Sequence, residues 1–306
     1  MHIQRAAIGA HTIAFVDEGD GAPLLCVMGI GAQLIMWPSS LVAALVAGGA
    51  RVIRYDHRDV GESSPGHGRA PTFAKALAMA ALGRRFAVPY GLADLANDAI
   101  GLLDHLRIER AHVVGISMGG MVAQHMALAH PHRLASMSLL MTTPGGRRYL
   151  PKPAALRALL RPRATTEQAA GDALVDIMRV IGTPAAARRG DGVDDDAADR
   201  AYVDEMRAVG RWAFRRGGSP AGFYRHFAAV LADGSRRARL PAITVPTAVI
   251  HGTADPLIPL AAGRALADGI PGAWWLPLAG MGHDLSPRFV PTLAALILAR
   301  MGPLAR

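Results

Sequence analysis

The sequence predicts an α/β protein in which helices flank a mostly parallel sheet of eight strands, with a helical insertion in one connection. Two observations predict this fold. Short apolar runs alternate with helix-period segments over residues 1–143, and the alternation resumes over 241–306. Between them, residues 144–240 are rich in Arg, Ala and Pro and show helical patterns but no convincing strand. We therefore expect one core domain, 1–143 with 241–306, and a helical cap (lid) at 144–240.

Two kinds of strand pattern precede the insertion. Alternating segments at 2–8 and 11–18 flank Gly9 and predict a β-hairpin. Continuous apolar runs, which are typical of strands covered on both faces, follow at 23–29, 50–56, 110–116 and 134–142. Helical patterns separate these runs, at 37–49, 72–90, 90–108 and 118–131. Strands joined through helices in this way predict a parallel sheet.

Helical patterns dominate the insertion and alternate with strands after it. The insertion has three, at 165–181, 195–216 and 219–232. Strand patterns return at 245–252 and 272–278, and helical patterns follow them at 259–270 and 284–301. The acidic segment 188–200 lacks the ligand spacing of an EF-hand loop, which favours a solvated turn and helix start over a calcium site. No metal site is predicted.

The composition argues against several classes of protein. The formal charge is +9, but every basic residue except Lys75 and Lys152 is Arg, and these residues are scattered. That distribution disfavours a nucleic-acid partner. Cys26 is the only cysteine and lies in an apolar run, which excludes an intrachain disulfide and predicts a buried thiol. We see no signal-peptide pattern and no apolar stretch of about 18 residues, so we expect a cytoplasmic protein without a membrane span.

A serine lies where a predicted strand meets a predicted helix. Residues 115–119, Gly-Ile-Ser-Met-Gly, fit the pattern G-x-S-x-G. In that context the pattern indicates a tight, strained turn that exposes the hydroxyl of Ser117 above the sheet. The helix that follows directs its first amide groups at charge developing beside this hydroxyl. We therefore predict that Ser117 is a nucleophile.

A nucleophilic serine needs a base, and the base needs an orienting acid. Asp255 lies just beyond the strand pattern at 245–252, and His283 just beyond the pattern at 272–278. The chain order Ser, Asp, His is the order expected when each group follows a strand of one parallel sheet. We predict a catalytic triad of Ser117, Asp255 and His283.

Structural alternatives exist for each of these residues. Asp255 precedes a proline, where aspartate is common in turns, and His283 is also compatible with an ordinary loop histidine. His251 is the nearest competing base, but it lies at the end of the strand that leads into the loop of Asp255. Asp284 is a competing acid, although its adjacency to His283 makes the required orientation awkward. The remaining competitors lie on or after the helix that follows Ser117, and these are His125, His130 and His132.

The oxyanion hole is predicted from two backbone amides. One belongs to Met118, after the nucleophile, and the other to Ile30, between Gly29 and Gly31 in the loop after the third strand. A plain glycine turn is the alternative.

Apolar neighbours and the loop glycines predict a pocket lined by Met28, Gly29, Gly31, Trp37, Met121, Met141, Leu257 and Ile258. A charged turn held by internal ion pairs is favoured over substrate binding for Asp56, Arg58 and Asp59.

Four segments carry a family resemblance, namely 27–63, 111–124, 245–259 and 280–287. With them the chain resembles the α/β-hydrolase superfamily, and within it the bacterial serine esterases related to aclacinomycin methylesterase. The resemblance implies cofactor-free hydrolysis of a carboxylic ester through an acyl-enzyme, with Ser117, Asp255, His283, Ile30 and Met118 in the roles given above. The chain departs from the superfamily at Met28-Gly29, where His-Gly is common, so the loop must be anchored by other residues.

The predicted activity is therefore that of a carboxylesterase-type serine hydrolase acting on a small to medium apolar ester. Its partner would be a small-molecule ester, with no nucleic acid and no cofactor, in a monomer or homodimer. The same triad also supports carbon–carbon bond hydrolysis, lactone opening or perhydrolysis. A ligand-binding receptor that retains the hydrolase fold is the alternative from another class.

Overall fold

The computed structural model describes residues 1–84, 86–188 and 195–302. In this part of the chain, one sheet is built from the eight strands β1 (Gln4–Ile8), β2 (His11–Glu18), β3 (Ala22–Val27), β4 (Ala50–Tyr55), β5 (Ala111–Ile116), β6 (Leu134–Leu140), β7 (Thr247–Gly252) and β8 (Trp274–Leu278). Their order across the sheet is β1-β2-β4-β3-β5-β6-β7-β8. The strands β3 to β8 are mutually parallel, whereas β2 is antiparallel to both β1 and β4. The predicted eight-stranded, mostly parallel sheet is confirmed.

The described helices are α1 (Ser39–Ala47), α2 (Phe73–Ala81), α3 (Leu92–His105), α4 (Met118–Ala129), α5 (Pro153–Leu159), α6 (Glu167–Ile181), α7 (Ala185–Arg188), α8 (Asp195–Arg216), α9 (Pro220–Asp233), α10 (Leu260–Gly269) and α11 (Val290–Met301). The helices α5 to α9 all lie between β6 and β7 in the chain. We use the name insertion for residues 144–240, which contain these five helices.

Helices cover both faces of the sheet, which explains the continuous apolar runs in its strands. In β3, Leu25 and Val27 belong to a core shared with α3 and α4, whereas Leu24 and Cys26 belong to a core shared with α1 and α11. Because successive strand residues point to opposite faces, both sets must be apolar. Cys26 is buried as predicted, and burial raises the pKa of its thiol to about 12.

Close helix contact organises the insertion around α6 and α8. A Cβ at Gly210 of α8 would lie 2.7 Å from the carbonyl oxygen of Ala170 and 2.9 Å from Cα of Gly171 in α6. The absence of side chains at this crossing lets the two helices approach closely. The three helices predicted in the insertion are present as α6, α8 and α9, and the short helices α5 and α7 were not predicted.

Two predicted helices are shorter in the structure. The pattern at 72–90 forms a helix only to Ala81, since Gly83 has a φ of +67°. The pattern at 284–301 becomes an α-helix only at Val290, after a turn of 3-10 helix at Pro287–Phe289. In the acidic segment at 188–200, residues 189–194 lie outside the described residues. Of the helices that are described, none is long and apolar enough to cross a membrane.

Candidate active site

Ser117 lies in a strained turn between β5 and α4. Its φ of 55° and ψ of −120° place a non-glycine residue in a region that L-amino acids rarely adopt. A Cβ at Gly115 would lie 2.5 Å from the carbonyl oxygen of Gly119, and a Cβ at Gly119 would lie 2.0 Å from that of Val27. The backbone therefore requires glycine two residues before and two residues after the serine.

Hydrogen bonds hold this turn against the neighbouring strand. The amide of Ser117 donates to the carbonyl of Leu140 at 3.0 Å, and the hydroxyl of Thr142 donates to the carbonyl of Ser117 at 2.6 Å. A Cβ at Gly120 would lie 2.6 Å from Cγ2 of Thr142, so this glycine serves helix packing. Because α4 begins at Met118, the amide of that residue belongs to the first turn, whose amides lack helical partners.

Asp255 and His283 lie together beyond the carboxyl ends of β7 and β8. Nδ1 of His283 donates to Oδ2 of Asp255 at 2.7 Å, and both side chains are buried. The other carboxylate oxygen accepts from the amides of Leu257 and Ile258, each at 2.8 Å. These three bonds fix the carboxylate and leave Nε2 of His283 free to accept a proton. Ser117 and His283 line the same cavity.

The loop after β3 approaches the serine closely. A Cβ at Gly29 would lie 3.3 Å from Cβ of Ser117, so a side chain there would press on the serine. The amide of Ala32 donates to the carbonyl of Gly29 at 3.2 Å, which closes a turn around Ile30. Gly31 has a φ of +62°. The two glycines let this turn approach Ser117 closely.

Met28 stands where a polar histidine is common in the superfamily, and two other buried histidines anchor this loop instead. Nε2 of His57 donates to the carbonyl of Met28 at 3.1 Å. His226 of α9 donates from Nε2 to the carbonyl of Arg58 at 3.0 Å and accepts at Nδ1 from the amide of Gly31 at 3.4 Å. Burial lowers the pKa of His57 to about 3 and that of His226 to about 4, so both imidazoles are neutral near pH 7.

Neither His57 nor His226 was predicted as an anchor from the sequence. His57 follows β4 and lies in the charged turn that contains Asp56, Arg58 and Asp59. The expected internal ion pairs are wrong: hydrogen bonds hold the turn internally, whereas its ion pairs reach partners outside it. Arg216 of α8 binds Asp56 at 2.8 Å, Arg225 of α9 binds Asp59, and Arg58 binds Asp98 at 2.6 Å. The insertion is therefore attached to the core by charge pairs beside the loop after β3.

Three of the competing histidines contact other groups, and Nε2 of His251 also lies 3.7 Å from Oδ2 of Asp255. His251 is fully buried, with Nε2 2.9 Å from the carbonyl oxygen of Ile258, and burial lowers its pKa. Nε2 of His125 lies 2.6 Å from Oδ1 of Asp233. His130 contacts the side-chain oxygen of Asn97 at 3.2 Å, and His132 is exposed.

Asp284, the competing acid, is bound to the insertion. It accepts hydrogen bonds from the amide and the hydroxyl of Thr183 at 3.0 and 2.6 Å, and from the hydroxyl of Tyr202 at 2.6 Å. Its carboxylate is therefore used to hold the loop that carries His283. Neither Thr183 nor Tyr202 was identified from the sequence, because nothing in the sequence pattern links them to Asp284.

A cavity of about 600 Å³ lies between the core and the insertion, a volume suited to a small-molecule ligand. Of the eight residues predicted to line it, the structure places four on the wall, namely Met28, Gly29, Gly31 and Leu257, and Ile30 of the predicted oxyanion hole also lies there. The prediction is wrong for Trp37, Met121 and Met141, which pack in the hydrophobic cores, and for Ile258, which is buried behind the wall. The insertion supplies most of the remaining apolar wall, including Leu174, Ile177, Met178, Ile181, Met206 and Phe223.

Known hydrolases are similar to this chain in sequence and in structure. The family model for the α/β hydrolase fold matches residues 22–175. Rhodomycin D methylesterase DauP from Streptomyces sp. (strain C5) is 33% identical over 300 residues, which cover 92% of this chain and 91% of that protein. Rhodomycin D methylesterase DnrP from Streptomyces peucetius is 33% identical over 308 residues, with the same coverage. A solved structure of a hydrolase from Pseudomonas aeruginosa PA01 has a TM-score of 0.72 at 27% identity and covers 98% of both chains. The resemblance stated from the sequence is confirmed, and this chain belongs to the α/β-hydrolase family.

Proposed function

We propose that this protein is a serine carboxylic ester hydrolase that forms an acyl-enzyme at Ser117. One observation carries the proposal: Ser117 and His283 line one cavity, and Asp255 binds the far side of the imidazole at 2.7 Å. A serine, a base and an orienting acid in this relation are the groups that acyl transfer requires. The methylesterase relatives support an ester as the substrate.

The first half of the reaction acylates the serine. Nε2 of His283 takes the hydroxyl proton of Ser117 as Oγ forms a bond to the ester carbonyl carbon. The amides of Met118 and Ile30 stabilise the resulting oxyanion, which lies above the turn around Gly29. His283 then gives the proton to the alkoxy oxygen, the carbon–oxygen bond breaks, and the alcohol leaves.

The second half releases the acid. His283 removes a proton from water, whose oxygen attacks the acyl carbon, and the same two amides stabilise the second oxyanion. The bond to Oγ breaks, the proton returns to Ser117, and a carboxylic acid is released. Asp255 accepts from two amides besides Nδ1 of His283, and its carboxylate stabilises the imidazolium formed in each half.

The cavity supports a small to medium substrate with substantial apolar surface. Its wall is built mainly of apolar side chains, and the insertion closes it on the side opposite Ser117. An ester held there loses contact with water around its acyl or alcohol chain, which contributes binding free energy in proportion to the apolar area covered.

The test compares Ser117→Ala with the wild-type protein on p-nitrophenyl butyrate. We expect kcat to fall by about 10³-fold or more, and labelling by a fluorophosphonate to disappear. Ser219→Ala is the matched control, since Ser219 is another serine on the cavity wall, and it should keep both activity and labelling. Hydrolysis by Ser117→Ala at the wild-type rate would overturn the proposal.

A further inference from the structure

The cavity wall carries a cation without an acidic partner in the described part of the chain. Arg161 and Arg163 both lie on the wall, in the connection between α5 and α6. Arg161 pairs with Asp176 at 2.9 Å. Arg163 forms no ion pair with any residue within 1–84, 86–188 and 195–302. Its charge is therefore available to a ligand in the cavity.

Phe223 of α9 orients this guanidinium. Cζ of Arg163 lies 3.9 Å from the centre of the Phe223 ring, a distance at which a cation is attracted to the ring face. Besides this ring contact, the guanidinium of Arg163 makes no hydrogen bond to the described residues. The planar donor fork of Arg163 consequently remains free for an acceptor with two oxygens.

The same guanidinium lies beside the oxyanion loop. Nη2 of Arg163 is 3.5 Å from the position that a Cβ of Gly31 would take, and Phe223 is 2.8 Å from that position. Gly29, at the other end of the turn, adjoins Ser117. Two residues of chain span at most about 7 Å. A group bound to Arg163 and an ester carbonyl at Ser117 would thus lie in the same cavity, at a separation that an acyl chain of several carbons can span.

The surroundings of Arg163 favour an anion there. Arg163 is an exposed residue at the cavity wall, and partial desolvation lowers the pKa of its guanidinium. It still carries its charge near pH 7, because a guanidinium titrates far above that range. A guanidinium without an ion pair can bind an incoming carboxylate through two parallel charge-assisted hydrogen bonds.

We propose that Arg163 binds a carboxylate of the substrate, so that the preferred ester carries a second, ionised carboxyl group at the far end of its acyl chain. The proposal rests on the proposed function, since the ester lies at Ser117. It adds an anchor to a mainly apolar cavity: the apolar chain contacts the wall, and the guanidinium of Arg163 fixes the end of that chain. Half-esters of dicarboxylic acids are the simplest members of this class.

The test compares two pairs of methyl esters that differ only at the far end of the acyl chain. Monomethyl adipate is compared with methyl hexanoate, and monomethyl suberate with methyl octanoate. The readout is the ratio of kcat/KM for the half-ester to kcat/KM for the neutral ester. We expect a ratio above 1 in the wild-type protein, and Arg163→Gln should lower it by about 10-fold or more, mainly through KM, as loss of a charge-assisted hydrogen bond predicts.

Two further variants sharpen the comparison. Arg161→Gln removes a neighbouring cation that is already paired, and it should leave the ratio within about two-fold of wild type. Arg163→Lys keeps the charge but loses the planar fork, and it should restore the ratio only in part. A ratio that does not change in Arg163→Gln, or that falls equally in Arg161→Gln, would overturn the proposal.

A binding measurement separates this proposal from the proposed function. Titration calorimetry of adipate into Ser117→Ala, with and without Arg163→Gln, requires no hydrolysis. Adipate binding that is lost with Arg163→Gln supports the carboxylate site even where no ester is cleaved. Equal binding of adipate to both proteins contradicts the site while leaving hydrolysis at Ser117 unaffected.

Discussion

Tyr202 of α8 donates a 2.6 Å hydrogen bond to Asp284, the residue that follows His283 in the chain. Thr183, between α6 and α7, binds the same carboxylate, and its hydroxyl also accepts from the amide of Gly282 at 3.1 Å. The amide of His283 itself donates to the carbonyl of Ile181 at 2.7 Å. The insertion thus holds the loop of the proposed base on both sides of the histidine, besides forming a wall of the cavity.

Replacing Tyr202 by Phe tests this connection. The change removes one donor to Asp284 and keeps the ring, and Thr183 still supplies two hydrogen bonds, so the fold should persist. Burial and the charge of Asp284 raise the pKa of Tyr202, which therefore stays a donor at any working pH. We expect kcat to fall by about 10-fold with little change in KM, since His283 is less well placed.

Steady-state kinetics on a p-nitrophenyl ester, with thermal unfolding as a check on stability, measure this effect. Tyr224→Phe is the matched control, because Tyr224 is 40% exposed on α9 and should keep the wild-type kcat. A Tyr202→Phe protein of lower stability but unchanged kcat would show that the bond supports only the fold.

His57 provides a second test, directed at the proposed oxyanion loop. His57→Leu removes the donor to the carbonyl of Met28 and lets the turn around Ile30 shift. Because loss of one oxyanion donor costs about 10²–10³ in kcat, we expect a decrease of about 10- to 100-fold for a donor that is displaced rather than lost. His57→Gln retains an N–H donor and should recover part of the activity, which a purely steric effect would not produce. Equal kcat values for His57→Leu and wild type would contradict the anchoring role.

The residues at the ends of strands were predictable, because the order of a parallel sheet determines where strand ends meet. Ser117, Asp255 and His283 each follow a strand, and the structure brings the latter two within 2.7 Å. The role of the glycines near Ser117 could also be predicted, since a tight strand-to-helix turn leaves no room for side chains there. The core fold was predictable for the same reason, from the alternation of strand and helix.

Side-chain direction was harder to predict. Met121 is near Ser117 in the chain and Met141 directly follows β6, yet both pack into the cores. The helix α4 is buried from Met118 to Ala127, so Met121 has no free face to present to the cavity. Thr183 and Tyr202 meet Asp284 only through the arrangement of α6, α7 and α8, which no local pattern encodes. Thr183 and Tyr202 are 101 and 82 residues from Asp284 in the chain, and local sequence patterns do not predict contacts over such separations.

Stability should depend on pH through the buried histidines. Burial lowers the pKa of His57 to about 3 and that of His226 to about 4, below the value of about 6.5 in an unfolded chain. Between these values the unfolded state binds protons that the native state does not, so the free energy of unfolding decreases as pH falls below about 6.5. Each histidine contributes a slope of up to about 1.4 kcal/mol per pH unit.

Urea unfolding at intervals between pH 7 and pH 5 measures that slope, before most carboxylates begin to titrate. His226→Gln should flatten it, because the variant removes one group that is neutral only in the native state. His132→Gln, which replaces an exposed imidazole after α4, should keep the wild-type slope. Stability that is constant over this range would contradict the assignment of neutral, buried imidazoles.

Gly119 tests the approach of α4 to β3 that creates the serine turn. A Cβ there would lie 2.0 Å from the carbonyl oxygen of Val27, so Gly119→Ala must push the helix start away from the sheet. We expect a loss of about 1–3 kcal/mol in the free energy of unfolding, and a decrease of about 10²-fold in kcat, because a displacement of about 1 Å at Ser117 disturbs the attack geometry. Gly91→Ala is the control, since a Cβ at Gly91 has its nearest neighbour at 3.9 Å and φ is −106°. Chemical denaturation and kcat on the same preparations separate the two variants, and equal kcat values for both would show that the turn tolerates a side chain.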